Sequence, residues 1–523
     1  MKAIERELFR NLFVSVAEEM GIVLRRTAFS PNIKERRDYS CALYDASGGT
    51  VAMGDHMPVH LGAMPLSVAA ALESFSFEPG DVAVLNDPFR GGTHLPDITA
   101  ISGVFLPGGV APAFYVASRA HHADVGGMSP GSMPLAREIY QEGLRLPPIL
   151  LVRRGRVDQP LLDLILANVR TPDERRGDLM AQLTANRRGE VRLLEMAAKH
   201  GRETLHRNMR ALQDYSAAMM RAAIEQIPDG EYGFSDYLDE DGAGSGPVEI
   251  RVRISVSGDA ASVDFSGSSR QVAGCVNANH AVAVSATAYV FRCLAGRLVS
   301  GDIPYNSGLL RPIAIHTPER SIVNAGPPAA MAAGNVETSQ RITDTLFGAL
   351  AQALPALIPA ASSGTMNNLT IGGWDPRNDK PFAYYETIAG GSGASPEGPG
   401  ASAIHTHMTN SWNTPVDAFE HEYPMRIQRY EVRHGSGGAG KYRGGDGIVR
   451  AIEFQAPAEV TILSDRRVSG PWGLQGGGPG APGRNLLVRD GVEIKIAAKA
   501  RFDVKAGDVL RIETPGGGGW GAS

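Results

Sequence analysis

The densest cluster of side chains able to hold a cation lies between positions 38 and 124 of this 523-residue chain. Asp38 follows Arg36-Arg37. His94 and Asp97 lie in Gly91-Gly92-Thr93-His94-Leu95-Pro96-Asp97, and His121, His122 and Asp124 lie in Arg119-Ala120-His121-His122-Ala123-Asp124. Imidazole and carboxylate on turn-rich segments make a mixed N/O donor set, which suits zinc, manganese or iron(II) better than thiolate-selective metals. A single histidine is more often a turn cap or a satisfied core group. The joint pattern of H-x-x-D and H-H-x-D after expected strand ends reads instead as a divalent-metal site. Pro96 makes a regular helix unfavourable between His94 and Asp97, so a rigid turn must hold that pair. His56 and His60, separated by Met57-Pro58-Val59, are weaker candidates, for which a loop or substrate-facing role weighs the same as a structural one.

The elements that position these groups are expected to form a mixed α+β, multi-domain fold. Residues 4–24 carry Ile4, Leu8, Leu12, Val16 and Met20 at four-residue spacing, with Phe9, Phe13 and Leu24 widening the stripe, so an amphipathic helix is predicted. Short strands such as 82–85 and 114–117 follow, separated by turn-forming clusters. Thr171-Pro172-Asp173-Glu174 is a helix start, and helical periodicity runs on to about residue 227 with a break near Gly201. Residues 248–266 alternate around Gly258-Asp259 as a hairpin, and 278–294 and 339–357 read as buried helices. After residue 425 the pattern is β-like, with strands near 447–454, 459–464, 485–488 and 509–513. The expected organisation is an N-terminal metal-binding α/β region at 1–230, a central α/β region at 231–425 and a β-rich C-terminal region at 426–523.

Composition narrows the function. The chain has 51 Lys plus Arg against 56 Asp plus Glu, interspersed, so no basic stripe is available for nucleic acid. No apolar run in the sequence approaches the roughly 18 residues of a membrane span, and the N-terminus lacks a secretory apolar segment. Cys41, Cys275 and Cys293 are too few and scattered for a disulfide framework, so a reducing cytoplasm is the expected compartment. Glycine, at 62 residues, is about 12% against a usual ~7%, which implies many tight turns and close backbone approaches. The terminal Pro515-Gly516-Gly517-Gly518-Gly519-Trp520 is expected to dock, because burying the indole offsets the ordering of the glycines.

Two Gly-rich stretches imitate nucleotide or nucleophile motifs. Residues 435–442 approach G-x-x-x-x-G-K-[ST], but Tyr442 stands where magnesium needs a hydroxyl, and Arg443-Gly444-Gly445 is a poor helix start. Gly390-Gly391-Ser392-Gly393-Ala394 lacks the last glycine of a nucleophile elbow and reads as a substrate- or partner-facing loop. Glu138, Tyr140, Gln141 and Glu142 offer hydrogen bonds or a general base, and equally the lining of an ordinary loop. His405, His407, His421 and Glu422 read as a polar lining of the cleft in preference to a second metal site.

Several long stretches resemble the hydantoinase B/oxoprolinase family, the B-type subunits of ATP-dependent hydantoinases, which are related to the α subunits of acetone and acetophenone carboxylases. They are residues 24–38, 86–97, 119–127, 138–143, 168–172, 438–446 and the Gly-rich terminus. The resemblance implies a metal held by Asp38, His94, Asp97 and His121. It also implies a separate A-type subunit that binds ATP and phosphorylates the substrate's amide or enol oxygen. His122 and Asp124, beside these ligands, then become candidates for orienting them or moving protons, and Arg119 for contacting phosphate or carboxylate. The implied reaction is hydrolysis of a lactam or hydantoin, with ketone carboxylation as the alternative; the length favours the hydantoinase type.

Overall fold

The computed structural model describes residues 3–54 and 57–522. Its N-terminal part is one antiparallel seven-stranded sheet flanked by helices. The helix α1 (Ala3–Thr27) buries Phe9, Phe13, Val16, Met20 and Leu24, with acidic Glu5 in its first turn and Arg25 and Arg26 in its last, which complements the helix dipole. A single turn, α2 (Pro31–Lys34), leads into β1 (Tyr39–Asp45) and β2 (Thr50–Met53); α3 (Ala63–Ser74) precedes β3 (Val82–Leu85), β4 (Asp97–Val104), β5 (Phe114–His121), β6 (Ile149–Arg153) and β7 (Arg156–Val157). The order is β2-β1-β5-β4-β3-β6-β7. Strands β4 and β5 are buried along their whole length, so even their polar residues, Asp97, Thr99, Arg119 and His121 among them, lie inside the protein.

Three helices complete this part: α4 (Gln159–Leu166), α5 (Pro172–His200) and α6 (Arg202–Ile224). Pro172 opens α5 where its missing N–H costs nothing, Asp173 and Glu174 follow in the first turn, and Gly201, at φ +81°, divides α5 from α6. The long expected helix and its break are both present.

A second antiparallel layer, β8 (Gly230–Leu238), β9 (Val248–Ser257) and β10 (Ala260–Asp264), ends in β11 (Ile313–His316), which runs parallel to β10. It packs on α8 (Ser339–Ala353). The helix α7 (His280–Leu298) is long and apolar enough to cross a membrane by length and composition, a point the sequence reading missed. Most of it is buried against α3, α6 and α8, so it is a core helix of this fold.

The C-terminal β-rich stretch does not stand apart. The strands β12 (Asn368–Asp375) and β13 (Lys380–Glu386) were not foreseen. After the short α9 (Val416–Glu422) come β14 (Met425–Arg433), β15 (Gly447–Phe454), β16 (Ala458–Leu463), β17 (Arg484–Arg489), β18 (Val492–Ile496), β19 (Lys499–Val504) and β20 (Val509–Glu513). One sheet runs β13-β12-β16-β19 and the other β14-β15-β20-β17-β18. The expected break at residue 425 therefore crosses a sheet, and the largest apolar core joins residues from Ala42 to Leu463 across the expected break at 230.

The Gly-rich terminus is docked. Residues 515–519 are buried, Tyr442 and Trp520 exchange both backbone hydrogen bonds, and the Trp520 indole donates to Ile358 O at 3.2 Å. Both motif-like glycine stretches serve this tail: Gly391 N donates to Pro515 O, and Gly438 N to Gly517 O. At Gly517 a Cβ would stand 1.9 Å from the Ser392 carbonyl oxygen, with backbone on both sides. Gly517→Ala is therefore expected to lower stability by roughly 1–3 kcal/mol, read as a lower urea midpoint at unchanged slope.

Candidate metal centre

The ends of three neighbouring strands create the site. In the β1-β5-β4 register Tyr39 faces Ala120 and Ile98 faces Ala120, so the next row out is Asp38, His121 and Asp97. The His121 amide donates to the Asp38 carbonyl at 3.0 Å, which extends the ladder through this row. Directly opposed side chains point to the same face of a sheet. The Pro96 turn returns His94 over that face, its carbonyl accepting from the Asp97 amide at 3.2 Å.

Asp97 is the centre of the cluster. Its Oδ1 lies 3.2 Å from His94 Nε2 and 3.3 Å from His121 Nδ1, and its Oδ2 lies 3.4 Å from His60 Nε2. Thr93 Oγ1 and Asn335 Nδ2 each donate to Oδ2 at 3.1 Å. Burial opposes ionisation of this carboxyl, but the His94 charge and hydrogen bonds from His121 and His60 prevail and hold it well below the usual carboxylate range. Burial pushes the His121 imidazole down, against the pull of Asp97 and Asp38, which favours the neutral form a metal requires.

Orientation is set by outer contacts. His94 Nδ1 lies 3.2 Å from Ala332 O, so a proton belongs on Nδ1, and Nε2 is the nitrogen that faces the cluster. His60 Nδ1 is 2.9 Å from Ser40 Oγ. The Tyr385 ring, from β13, stacks on His121 with centroids 4.2 Å apart and an interplanar angle of 13°. Arg36 is fully buried and donates to Tyr385 O at 2.9 Å and Thr387 Oγ1 at 3.0 Å, tying the strand that carries this ring to the N-terminal part.

The donor set fits a divalent cation. Ligand atoms of His94, Asp97 and His121 lie within 4.8 Å of one another, all three residues are buried, and the Nε2 atoms of both histidines lack a hydrogen-bond partner. Buried polar atoms rarely stay unpaired, and two imidazole nitrogens beside an ionised carboxylate are the chemistry of a zinc, manganese or iron(II) site. Asp38 borders the same small cavity, as does His60, but it falls outside the tight three-residue group.

Of the three residues expected to do chemistry beside the candidate ligands, His122 and Asp124 lie away from the cluster. His122 follows the strand on its opposite face, where Nε2 lies 2.9 Å from Gln182 Oε1 of α5. Asp124 is a loop clamp: Oδ1 accepts from Gly126 N and Arg170 N, and Oδ2 from Gly131 N and Arg170 Nη1. Arg119 shares the face of the cluster, one row further in, with Nε on Thr99 Oγ1 at 2.8 Å and Nη2 on Ser67 Oγ at 2.6 Å. Strand alternation alone separates His122 from His121, and the loop's need for an acceptor claims Asp124. His56 lies outside the described residues. His405 and His407 diverge: His407 Nε2 approaches Asp344 Oδ1 at 3.4 Å, and His405 is half-buried near Arg36. Asn335, Ala332 and Tyr385 had no signal in sequence, since each reaches the site only through packing.

The Hydantoinase B/oxoprolinase family profile matches residues 2–523, and the chain belongs to that family. It is 40% identical over 550 residues to "5-oxoprolinase 1" of Arabidopsis thaliana, covering 99% of this chain and 42% of that protein. The chain thus spans about two-fifths of the length of that relative. Among solved structures, the ATP-dependent caprolactamase from Pseudomonas jessenii superposes with a TM-score of 0.91 at 27% identity, over 100% of this chain and 91% of that one. A nucleotide-free acetone carboxylase structure shares the fold, with a TM-score of 0.88 at 19% identity over 99% and 76% of the two chains.

Burial, aided by the Arg175 charge and opposed by Asp178, pushes His122 down to about 4, and burial with the Arg36 charge does the same to His405. Both are neutral in the native state, while an unfolded imidazole titrates near ~6.5. Between about pH 6.5 and 4 the unfolded chain takes up protons that the native chain refuses, so stability falls as pH falls. In urea unfolding across this window His122→Asn is expected to flatten the slope by up to one proton, about 1.4 kcal/mol per pH unit.

Proposed function

We propose that this chain is the metal-dependent hydrolytic subunit of an ATP-dependent cyclic amidase of the hydantoinase/oxoprolinase type. The observation that carries the reading is the buried His94–Asp97–His121 cluster with two unpartnered Nε2 atoms. The relatives support its chemistry: a protein named 5-oxoprolinase, and a caprolactamase described as ATP-dependent. His94, Asp97 and His121 hold a divalent ion, with Asp38 bordering the site as a fourth candidate ligand. Bound there, such an ion supplies Lewis acidity and lowers the pKa of water from ~15.7 toward ~7.

A lactam or hydantoin carbonyl is a poor electrophile because of amide resonance. ATP, bound by a partner of the A type, phosphorylates the amide oxygen and releases ADP. Water then adds to the ring carbon, the ring C–N bond breaks, and the nitrogen leaves with a proton. The acyl phosphate so formed takes up a second water and releases carboxylate and inorganic phosphate. His60 is placed to hold a proton at Nε2, in the role first assigned to His122 and Asp124; Ser40 Oγ, 2.9 Å from Nδ1, orients its ring. Tyr385 covers His121 and keeps bulk water out.

The test is the chain assembled with its A-type partner, ATP and a panel of lactams and hydantoins. ADP release coupled to ring opening without bicarbonate is expected. A strict requirement for bicarbonate and a ketone would replace hydrolysis by carboxylation, the fold being shared with acetone carboxylase. Elemental analysis is expected to find one divalent ion per chain. Asp97→Ala is expected to remove it and to lower turnover by at least about 100-fold, removal of a ligand exceeding the 10–100-fold typical of an outer contact. Unchanged turnover in that variant would sink the reading.

A further inference from the structure

Glu142 has no part in the reaction described above, yet it is 1% exposed and among the most confined carboxylates of the fold. Its Oε1 accepts two consecutive backbone amides, Met331 N at 2.7 Å and Ala332 N at 2.8 Å. Oε2 is buried without a partner. Burial outweighs these two hydrogen bonds and pushes the carboxyl up to about 8.

The segment that Glu142 grips supplies outer contacts to two different candidate ligands. Ala332 O meets His94 Nδ1 at 3.2 Å, and Asn335 Nδ2 meets Asp97 Oδ2 at 3.1 Å. Ala332 and Ala333 have only methyl side chains, with no polar group to fix them. The stretch is instead held by its backbone: Ala333 N donates to Cys275 O at 2.9 Å, and Gly334 N to Met331 O at 3.0 Å. Gly334 then lies so close to Asn277 that a Cβ would stand 1.8 Å from its carbonyl oxygen. A π-helical turn, Gly334–Thr338, starts here and carries Asn335. Such turns are frequent at functional sites.

Glu142 is anchored from the other side. Leu144 N donates to Val125 O at 2.8 Å and Met128 N to Gln141 O at 2.8 Å. Gly127 packs on the Glu142 carbonyl, where a Cβ would come within 2.6 Å. The 124–131 loop in this contact is the one clamped by Asp124 and Arg170. A continuous path of hydrogen bonds and close packing therefore runs from Arg170 and Asp124 through Glu142 to Ala332 and Asn335.

We infer that Glu142 is a positioning residue of the metal centre: through the 331–335 backbone it presents Ala332 O to His94 and the Asn335 amide to Asp97. This rests on the reading of His94 and Asp97 as metal ligands. Without the carboxylate, two buried N–H groups lose their acceptor, the segment relaxes, and His94 loses the contact that fixes its tautomer.

The test measures binding of Zn2+ to the full chain by competition with a chromophoric chelator, together with the visible spectrum of the Co2+ form and the melting temperature. Glu142→Ala is expected to weaken Zn2+ binding 10–100-fold and to shift the Co2+ bands. Glu142→Gln, which keeps an acceptor at Oε1, is expected to restore both to within about threefold of wild type. If Glu142→Ala does not fold, Glu142→Asp decides, since it retracts the oxygen by one methylene and is expected to weaken binding about tenfold. The control is Asp508→Ala, which removes a buried carboxylate that accepts Lys505 N far from the site. It is expected to melt earlier and bind Zn2+ as wild type does. Wild-type affinity in folded Glu142→Ala or Glu142→Asp, or equal weakening in Asp508→Ala, overturns the inference. Failure of the underlying reading looks different: wild type and His94→Ala would then bind Zn2+ equally.

Discussion

A single buried carboxylate, Asp97, sits among three imidazoles at the end of a buried strand, and the architecture around it follows from that placement. An ionised carboxylate removed from water costs several kcal/mol unless charge and hydrogen bonds compensate. Here compensation comes from Thr93, Asn335 and histidines contributed by separate segments. The same arrangement leaves two buried imidazole nitrogens, His94 Nε2 and His121 Nε2, without a hydrogen-bond partner. A centre of this kind is at once a stability problem for the empty fold and a ready donor set for a cation.

Such a centre demands that distant pieces of chain be fixed to within tenths of an ångström. Residues near 38, 60, 94–97, 121, 332–335 and 385 meet in one cavity lining. Closing loops of this span costs entropy that a local contact cannot offset, so the convergence rests on the large common core and on buried bridges such as Arg36. The glycine excess belongs to the same economy of space. The stretches near 391 and 438 that imitate catalytic loops are the walls between which the C-terminal tail lies backbone against backbone.

Much of the fold was legible where one local pattern suffices. The four-residue spacing from Ile4 to Met20, widened by Phe9, Phe13 and Leu24, marked α1, although Ile4 and Leu8 of that stripe are exposed; Pro172 and Gly201 bounded α5, and the alternation around Gly258 marked the β9–β10 hairpin. The β12–β13 hairpin escaped because its strands, buried on much of their surface, mix glycine, aromatic and polar residues with no clean period. Strand pairing of β12 with β16 joins segments on either side of residue 425 that composition separates. At the site, residue type and spacing marked Asp38, His94, Asp97, His121, His122 and Asp124 alike, and the family resemblance singled out Asp38, His94, Asp97 and His121 as ligands; in the structure His122 turns to Gln182 and Asp124 to a loop.

The amino-acid sequence by itself determined which residues carry ligand chemistry, where the first long helices begin and end, and the family to which the chain belongs, because these depend on side-chain type, on periodicity within one element and on long contiguous matches. Tertiary structure decided the rest. Which imidazole nitrogen faces inward, which carboxylate is a ligand candidate and which a loop clamp, and that Tyr385, Ala332 and Asn335 complete the shell, are set by register across β1, β5 and β4 and by the packing of segments hundreds of residues apart. Hydrogen-bond direction and burial are properties of that packing, and no local stretch of chain encodes them.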